Sequence, residues 1–150
     1  MSQSKYVHFK EVCQASGLKA TSQRFLIYKT LAESTKHPTA DQLFDMVADE
    51  LPGLSRDTIF RTLAILVDCG LAKKLSMPGG ATHYDGDMSQ HHHFLCEKCD
   101  KIYDFSSADL NIPPWPPEVL EVGWPRQASI LISGLCRSCS PDNGDLKTIN

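Results

Sequence analysis

The stretch SRDTIFRTLAILVDCGLAKKLSMPGGATHYD, residues 55–85, decides the fold. Ser55 is a natural N-cap, because its hydroxyl can accept from N–H groups that the first turn of a helix leaves without partners. Arg56, Asp57 and Thr58 then make a polar first turn, and Ile59, Leu63, Leu66 and Val67 recur at helical spacing as one apolar stripe. Gly70 closes the helix, since glycine takes the left-handed conformation of a C-terminal cap without a Cβ penalty. Beyond it the pattern changes: residues 71–77 and 81–84 flank Pro78-Gly79-Gly80 and read as a two-stranded hairpin.

Upstream, residues 6–16 read as a helix ending at Gly17. A second helix starts at Thr21 or Ser22 and carries Phe25, Tyr28, Leu31 and Ala32 on one face. Thr39 and Gln42 form a Thr-x-x-Gln capping box that opens a third helix, with Leu43, Phe44 and Val47 buried, stopping before Pro52-Gly53. Helices that finish in a short helix-turn-helix pair and then a hairpin make a winged helix. A recognition helix reads the major groove with its N-terminal residues. Ser55, Arg56, Thr58 and Arg61 are therefore the candidates for base edges and phosphates, with Lys73 and Lys74 of the hairpin and Arg24 of the earlier helix for phosphates. The competing reading of each basic residue is a solvated surface charge.

The chain has 150 residues, 41% hydrophobic and 22% charged, an ordinary soluble composition for one domain or two small ones. No apolar run approaches the roughly 20 residues of a membrane helix, and the first twenty residues lack an apolar stretch of signal-peptide type. The expectation is a soluble, cytoplasmic protein. A net charge of −3 argues against a polybasic coat for nucleic acid or membrane. That charge is unevenly spread: residues 1–84 hold ten Lys/Arg against eight Asp/Glu, and residues 85–150 hold five against ten. The expected organisation is α+β, with a winged-helix domain over 1–84, a hinge over 85–90 and a second domain over 91–150.

Six Cys stand beside six His. In a reducing compartment such a count points to metal or redox chemistry before disulfides. Cys96-x-x-Cys99 and Cys136-x-x-Cys139 are two chelating pairs, and four thiolates are the donor set of a closed tetrahedral structural zinc site. Cys13 and Cys69 lie among apolar helical residues and read as buried core thiols. A second ligand set is left over. His91 and His93 alternate on a strand and point to one side, with His92 facing away. Asp85 ends the hairpin, Asp104 lies on a strand over 101–105, and His37 precedes the Thr39 helix. Mixed imidazole and carboxylate ligation suits Fe(II), Mn(II) or Zn(II), and a ligand from His37 would tie the two domains together. The same donors around a metal-bound water would also serve a hydrolase. That alternative needs a general acid or base and a substrate pocket; no second motif supplies them, and catalysis leaves the winged helix unexplained.

The segments GLKATSQRFLIYKTL (17–31), KHPTADQLFDMV (36–47), SRDTIFRTLAILVDCGLAKKL (55–75), HHHFLCEKCDKIYDF (91–105) and GLCRSC (134–139) together resemble the ferric uptake regulator family. The resemblance implies an N-terminal winged helix joined to an α/β dimerisation domain, and a metal-dependent repressor that binds inverted-repeat operator DNA as a homodimer. It places structural zinc on the four cysteines and a regulatory Fe(II) or Mn(II) on His37, Asp85, His91, His93 and Asp104. Aspartate at 104, where iron-sensing members usually have glutamate, resembles the peroxide-responsive branch. There, oxidation of a ligand histidine, corresponding to His37 or His91, releases the operator; the alternative is a regulator that uses iron or zinc as co-repressor. Phe60 stands where the family commonly has tyrosine and keeps an aromatic face for a thymine methyl. Arg61 is more typical of iron-sensing members. Five prolines between 111 and 125 limit any helix there to about 117–122, and residues 128–133 should pair in the dimerisation sheet.

Overall fold

The computed structural model describes residues 2–110 and 114–140. Residues 111–113, where the proline-rich stretch opens, and residues 141–150 lie outside the described part. Two compact units follow one another along the chain, Met1–Met88 and Ser89–Asn150.

Four helices and a hairpin build the first unit: α1 (Ser2–Ala15), α2 (Ser22–Glu33), α3 (Ala40–Val47), α4 (Arg56–Asp68), β1 (Lys73–Ser76) and β2 (Thr82–Asp85). Helix α1 begins four residues earlier than the sequence suggests, because Ser2 to Lys5 carry no apolar period to betray it. Its end is as expected, with Gly17 at φ +68°. Side chains start the other three helices. Thr21 accepts from the Arg24 N–H (3.2 Å) and Ser55 from the Thr58 N–H (3.2 Å). At α3 the capping box is complete: the Thr39 hydroxyl accepts from Gln42 N (3.3 Å) while Gln42 Oε1 accepts from Thr39 N (2.9 Å). Strands β1 and β2 pair antiparallel with Lys73 opposite Asp85, and Gly79 and Gly80 supply the positive φ of the turn. A bridge from Thr39 to His83 adds a third short segment to the hairpin.

The core of this unit is Phe9 from α1, Ile27 and Leu31 from α2, Leu43 and Val47 from α3, and Ile59, Leu63 and Leu66 from α4, closed by Leu71. Phe9 stacks on Tyr28 at 5.4 Å, with Phe25 against both rings. Cys13 is buried here as the sequence suggests. Cys69 is only half-buried, because it is the C-cap of α4 and its thiol donates to the Ile65 carbonyl. Phe44 and Val67 likewise sit at the core's edge.

Gly86 directly follows β2 and packs against the end of α2. A Cβ there would lie 2.6 Å from Ala32 Cα and 2.9 Å from the Leu31 carbonyl carbon. Both are backbone atoms, so neither yields cheaply. Gly86→Ala is expected to destabilise the chain by about 1–3 kcal/mol, the usual range for overpacking. Thermal unfolding checks this, and an unchanged midpoint would refute it.

In the second unit β3 (His92–Cys96) is central, with β4 (Ile102–Phe105) antiparallel on one side and β5 (Leu131–Gly134) parallel on the other. A parallel neighbour requires a crossover. The chain between β4 and β5 contains a 3-10 turn at Ala108–Leu110 and α5 (Pro117–Val122). Helix α5 has the six-residue extent that the prolines permit: Pro117 sits at its first turn, where a missing N–H is harmless, and Gly123 ends it. Pairing of β5 starts with the Ile130 carbonyl, which accepts from His93 N at 3.0 Å, and runs on to Gly134. The strand thus lies slightly later than its apolar run suggests. No described helix is long and apolar enough to cross a membrane.

Candidate metal centres

The sheet register assembles the cysteines. Parallel pairing sets Cys96, the last residue of β3, opposite Gly134, so the turns that follow the two strands lie side by side. Each turn is closed in the same way, by Asp100 N to Cys96 O (2.9 Å) and by Ser140 N to Cys136 O (2.9 Å). The four sulfurs lie within 4.8 Å of one another, with Cys99 and Cys136 at 3.9 Å. A tetrahedron with Zn–S bonds of about 2.3 Å needs sulfurs about 3.8 Å apart. The quartet therefore fits a structural zinc ion in spacing and donor type.

The thiols are not equivalent. The Cys136 backbone N–H donates to Cys96 Sγ (3.3 Å) and is the largest of the effects that lower the Cys96 pKa to about 6, which favours its thiolate. Hydrogen bonding with Cys136 pushes Cys139 up to about 12, and zinc binding must displace its proton. The neighbouring Cys136 thiol likewise pushes the Tyr103 phenol up to about 12. Sequence reading missed Tyr103; its signal is its place in β4 opposite Phe94, one strand from the quartet.

A second cluster lies on the same sheet. His91 and His93 are buried with their Nε2 atoms 3.1 Å apart. His93 is paired across the ladder with Asp104, whose Oδ1 lies 3.4 Å from His93 Nε2 and 3.8 Å from His91 Nε2. The Ser89 carbonyl, 2.9 Å from His91 Nδ1, accepts the proton on that nitrogen and leaves the Nε2 lone pair for a metal. His92 points to the opposite face, fully buried against Phe105, its Nδ1 accepting from Ile130 N at 3.3 Å. It is a core histidine, as the alternation implies.

The first unit holds a smaller set. His37 and Asp85 are both buried, with His37 Nε2 4.0 Å from Asp85 Oδ2, and Asp85 Oδ1 accepts from Asp87 N (2.8 Å). His37 has φ +49°, rare for a residue with a side chain.

The residues singled out for DNA sit in differing surroundings. Ser55 and Thr58 spend their hydroxyls on the α4 cap and on each other (2.9 Å). Arg56 is held against α3 by Asp41 and by Asp45 (3.7 Å), with its guanidinium 4.5 Å above the Phe44 ring. Arg61 pairs with Asp57 one turn earlier, and Arg24 donates to the Lys19 carbonyl (2.8 Å). Phe60 is half exposed, at 50%, which is unusual for phenylalanine on an amphipathic helix. On the hairpin Lys74 is exposed and Lys73 half-buried.

A winged helix followed by an α/β unit with a thiolate quartet and an imidazole–carboxylate cluster defines the class of two-unit, metal-ligating winged-helix proteins. The family model described as the Ferric uptake regulator family matches residues 15–116, and the chain belongs to that family. It is 34% identical over 96 residues to the peroxide-responsive repressor PerR of Staphylococcus aureus, a match covering 64% of this chain and 65% of that protein. Among solved structures it is similar to the ferric uptake regulator Fur of Helicobacter pylori, described as having three functional metal binding sites (18% identity, TM-score 0.76, 96% of this chain and 97% of that one). It is also similar to PerR from Streptococcus pyogenes, a structure described as a basis for peroxide sensing and gene regulation (26% identity, TM-score 0.52, 90% and 92% covered).

Proposed function

We propose that the chain is a cytoplasmic, metal-dependent homodimeric repressor that binds inverted-repeat double-stranded operator DNA and releases it on oxidation by hydrogen peroxide. The observation that carries this reading is Asp104 against His91 and His93, at 3.4–3.8 Å, a compact nitrogen and oxygen donor set suited to Fe(II) or Mn(II). In the proposal His37 and Asp85 complete that regulatory site from the first unit, while zinc on the four cysteines is structural. Family membership and the 34% identity to a peroxide-responsive repressor support it.

The dimer face in this reading is the outer side of α5 and β5. Val122 and Trp124 are 89% and 94% exposed, and Leu120 of α5 and Leu131 and Ile132 of β5 are exposed as well. β5 is an edge strand of the described sheet, so its outer backbone groups are available to a second copy. On the DNA side, Phe60, Arg61 and Lys74 present the contacts, with Lys73 and Arg24 toward phosphates. Ser55 and Thr58 shape the helix start, and Arg56 reaches DNA only by leaving Asp41 and Asp45.

His37, Asp85, His91, His93 and Asp104 would hold Fe(II), and that ion, when bound, would supply the redox chemistry for reducing hydrogen peroxide beside these ligands. Insertion of one peroxide oxygen at C2 of the His37 or His91 ring gives 2-oxo-histidine, and the other oxygen leaves as water. An oxidised ring is a poorer ligand, so the site loses its metal and the dimer its DNA-binding form. A second reading, an iron- or zinc-responsive uptake regulator, is favoured by Arg61, the residue more typical of iron-sensing members of the family. Peptide mass spectrometry after brief peroxide treatment separates the two. The expected result is a gain of one oxygen on peptides holding His37 or His91 with Fe(II) loaded and none with Mn(II). Unmodified histidines with iron would leave the uptake-regulator reading.

A further inference from the structure

The backbone at His37 is disfavoured twice over: its φ is positive, and the following Pro38 narrows its options further. Something must hold it. The next two residues are docked on β2, by Tyr84 N to Pro38 O (3.0 Å) and by the Thr39–His83 bridge. His37 lies one residue beyond that ladder. Its carbonyl is taken instead by a side chain: the Nδ1–H of His83 donates to it at 2.6 Å. Asp85 is two residues further along the same strand, so its side chain leaves β2 on the same face as that of His83. One strand thus supplies both a carboxylate and the clamp on the imidazole beside it.

We propose that His83 is a positioning residue for the regulatory metal: its ring N–H fixes the His37 carbonyl, and so the backbone turn that aims the His37 imidazole. The inference rests on the reading of His37 as a ligand. His83 is not itself placed in the donor set; it acts through His37, as partners behind metal ligands do, and their loss typically weakens metal binding about 10–100-fold.

Two substitutions pull apart the hydrogen bond and the packing. His83→Asn keeps an N–H near the position of Nδ1 and discards the ring, whereas His83→Phe keeps the ring and discards the donor. Zinc-replete full-length protein is titrated with Mn(II) alone, free Mn(II) is read by electron paramagnetic resonance, and thermal unfolding is recorded beside each titration. His83→Phe is expected to weaken Mn(II) binding at least about tenfold, and His83→Asn to stay within about threefold of the parent. If His83→Phe binds as tightly as His83→Asn, the positioning role is overturned. His37→Ala is the control for the underlying reading. Parent-like Mn(II) affinity in that variant overturns His37 as a ligand; weakened binding there with intact binding in His83→Phe overturns only the clamp.

Discussion

Replacing Cys96 with serine is expected to unfold the second unit, remove its zinc and abolish dimer formation. The reason lies in how little else holds that unit together. The main apolar cluster, from Phe9 to Tyr84, belongs wholly to the first unit. Among the described residues of the second, the buried apolar side chains are Leu95 and Ile102 together with two of the cysteines themselves, Cys96 and Cys136. So small a core is marginal without a metal or a cross-link. Structural zinc contributes about 10–16 kcal/mol of apparent binding free energy in small zinc modules, more than such a core supplies. Serine offers no thiolate, and Cys96 Sγ is a sulfur whose thiolate the Cys136 backbone N–H stabilises. Zinc content, near-ultraviolet circular dichroism and size-exclusion mass measure the three losses, and chelation of the parent protein should reproduce them. A folded, dimeric Cys96→Ser chain would remove the structural role of zinc.

How far the sequence could be read depended on how local the deciding chemistry is. The Thr39–Gln42 capping box, the Ser55 cap and the glycine turn at 79–80 each act over three or four residues, and all three appear where the residues place them. The cysteine quartet was legible because its spacing is itself the chelating geometry. What escaped depends on pairing between distant segments. Nothing near Arg56 announces that it lies against Asp41 and Asp45 of the preceding helix, since that contact exists only once α3 and α4 cross. Tyr103 beside the sulfurs and His83 under the His37 carbonyl are likewise products of strand register. The alternation of His91, His92 and His93 was readable in kind, two to one face and one to the other. The distances that make a donor set of the first and third came only with Asp104 aligned across the ladder.

That alternation yields the sharpest contrast in the metal chemistry. His93→Ala is expected to lower Mn(II) affinity about 100-fold or more and to leave zinc bound at the cysteines. At Mn(II) concentrations that saturate the parent, operator binding in a gel-shift titration should disappear. His93 is 4% exposed, its Nε2 lies 3.1 Å from that of His91, and it is the closer of the two imidazoles to Asp104. Alanine removes one of the five donors of the proposed set and leaves a single imidazole beside the Asp104 carboxylate on this face. Loss of a direct ligand should exceed the about 10–100-fold typical of a partner behind one. The cysteine quartet shares no donor with this cluster, so zinc content should not change, which separates a damaged regulatory site from a damaged fold. His92, one residue away, should behave in the opposite sense: its ring lies in the core against Phe105, so its loss lowers the unfolding temperature and has little direct effect on Mn(II). If His93→Ala keeps parent-like Mn(II) affinity, the face shared by His91, His93 and Asp104 is not the regulatory site.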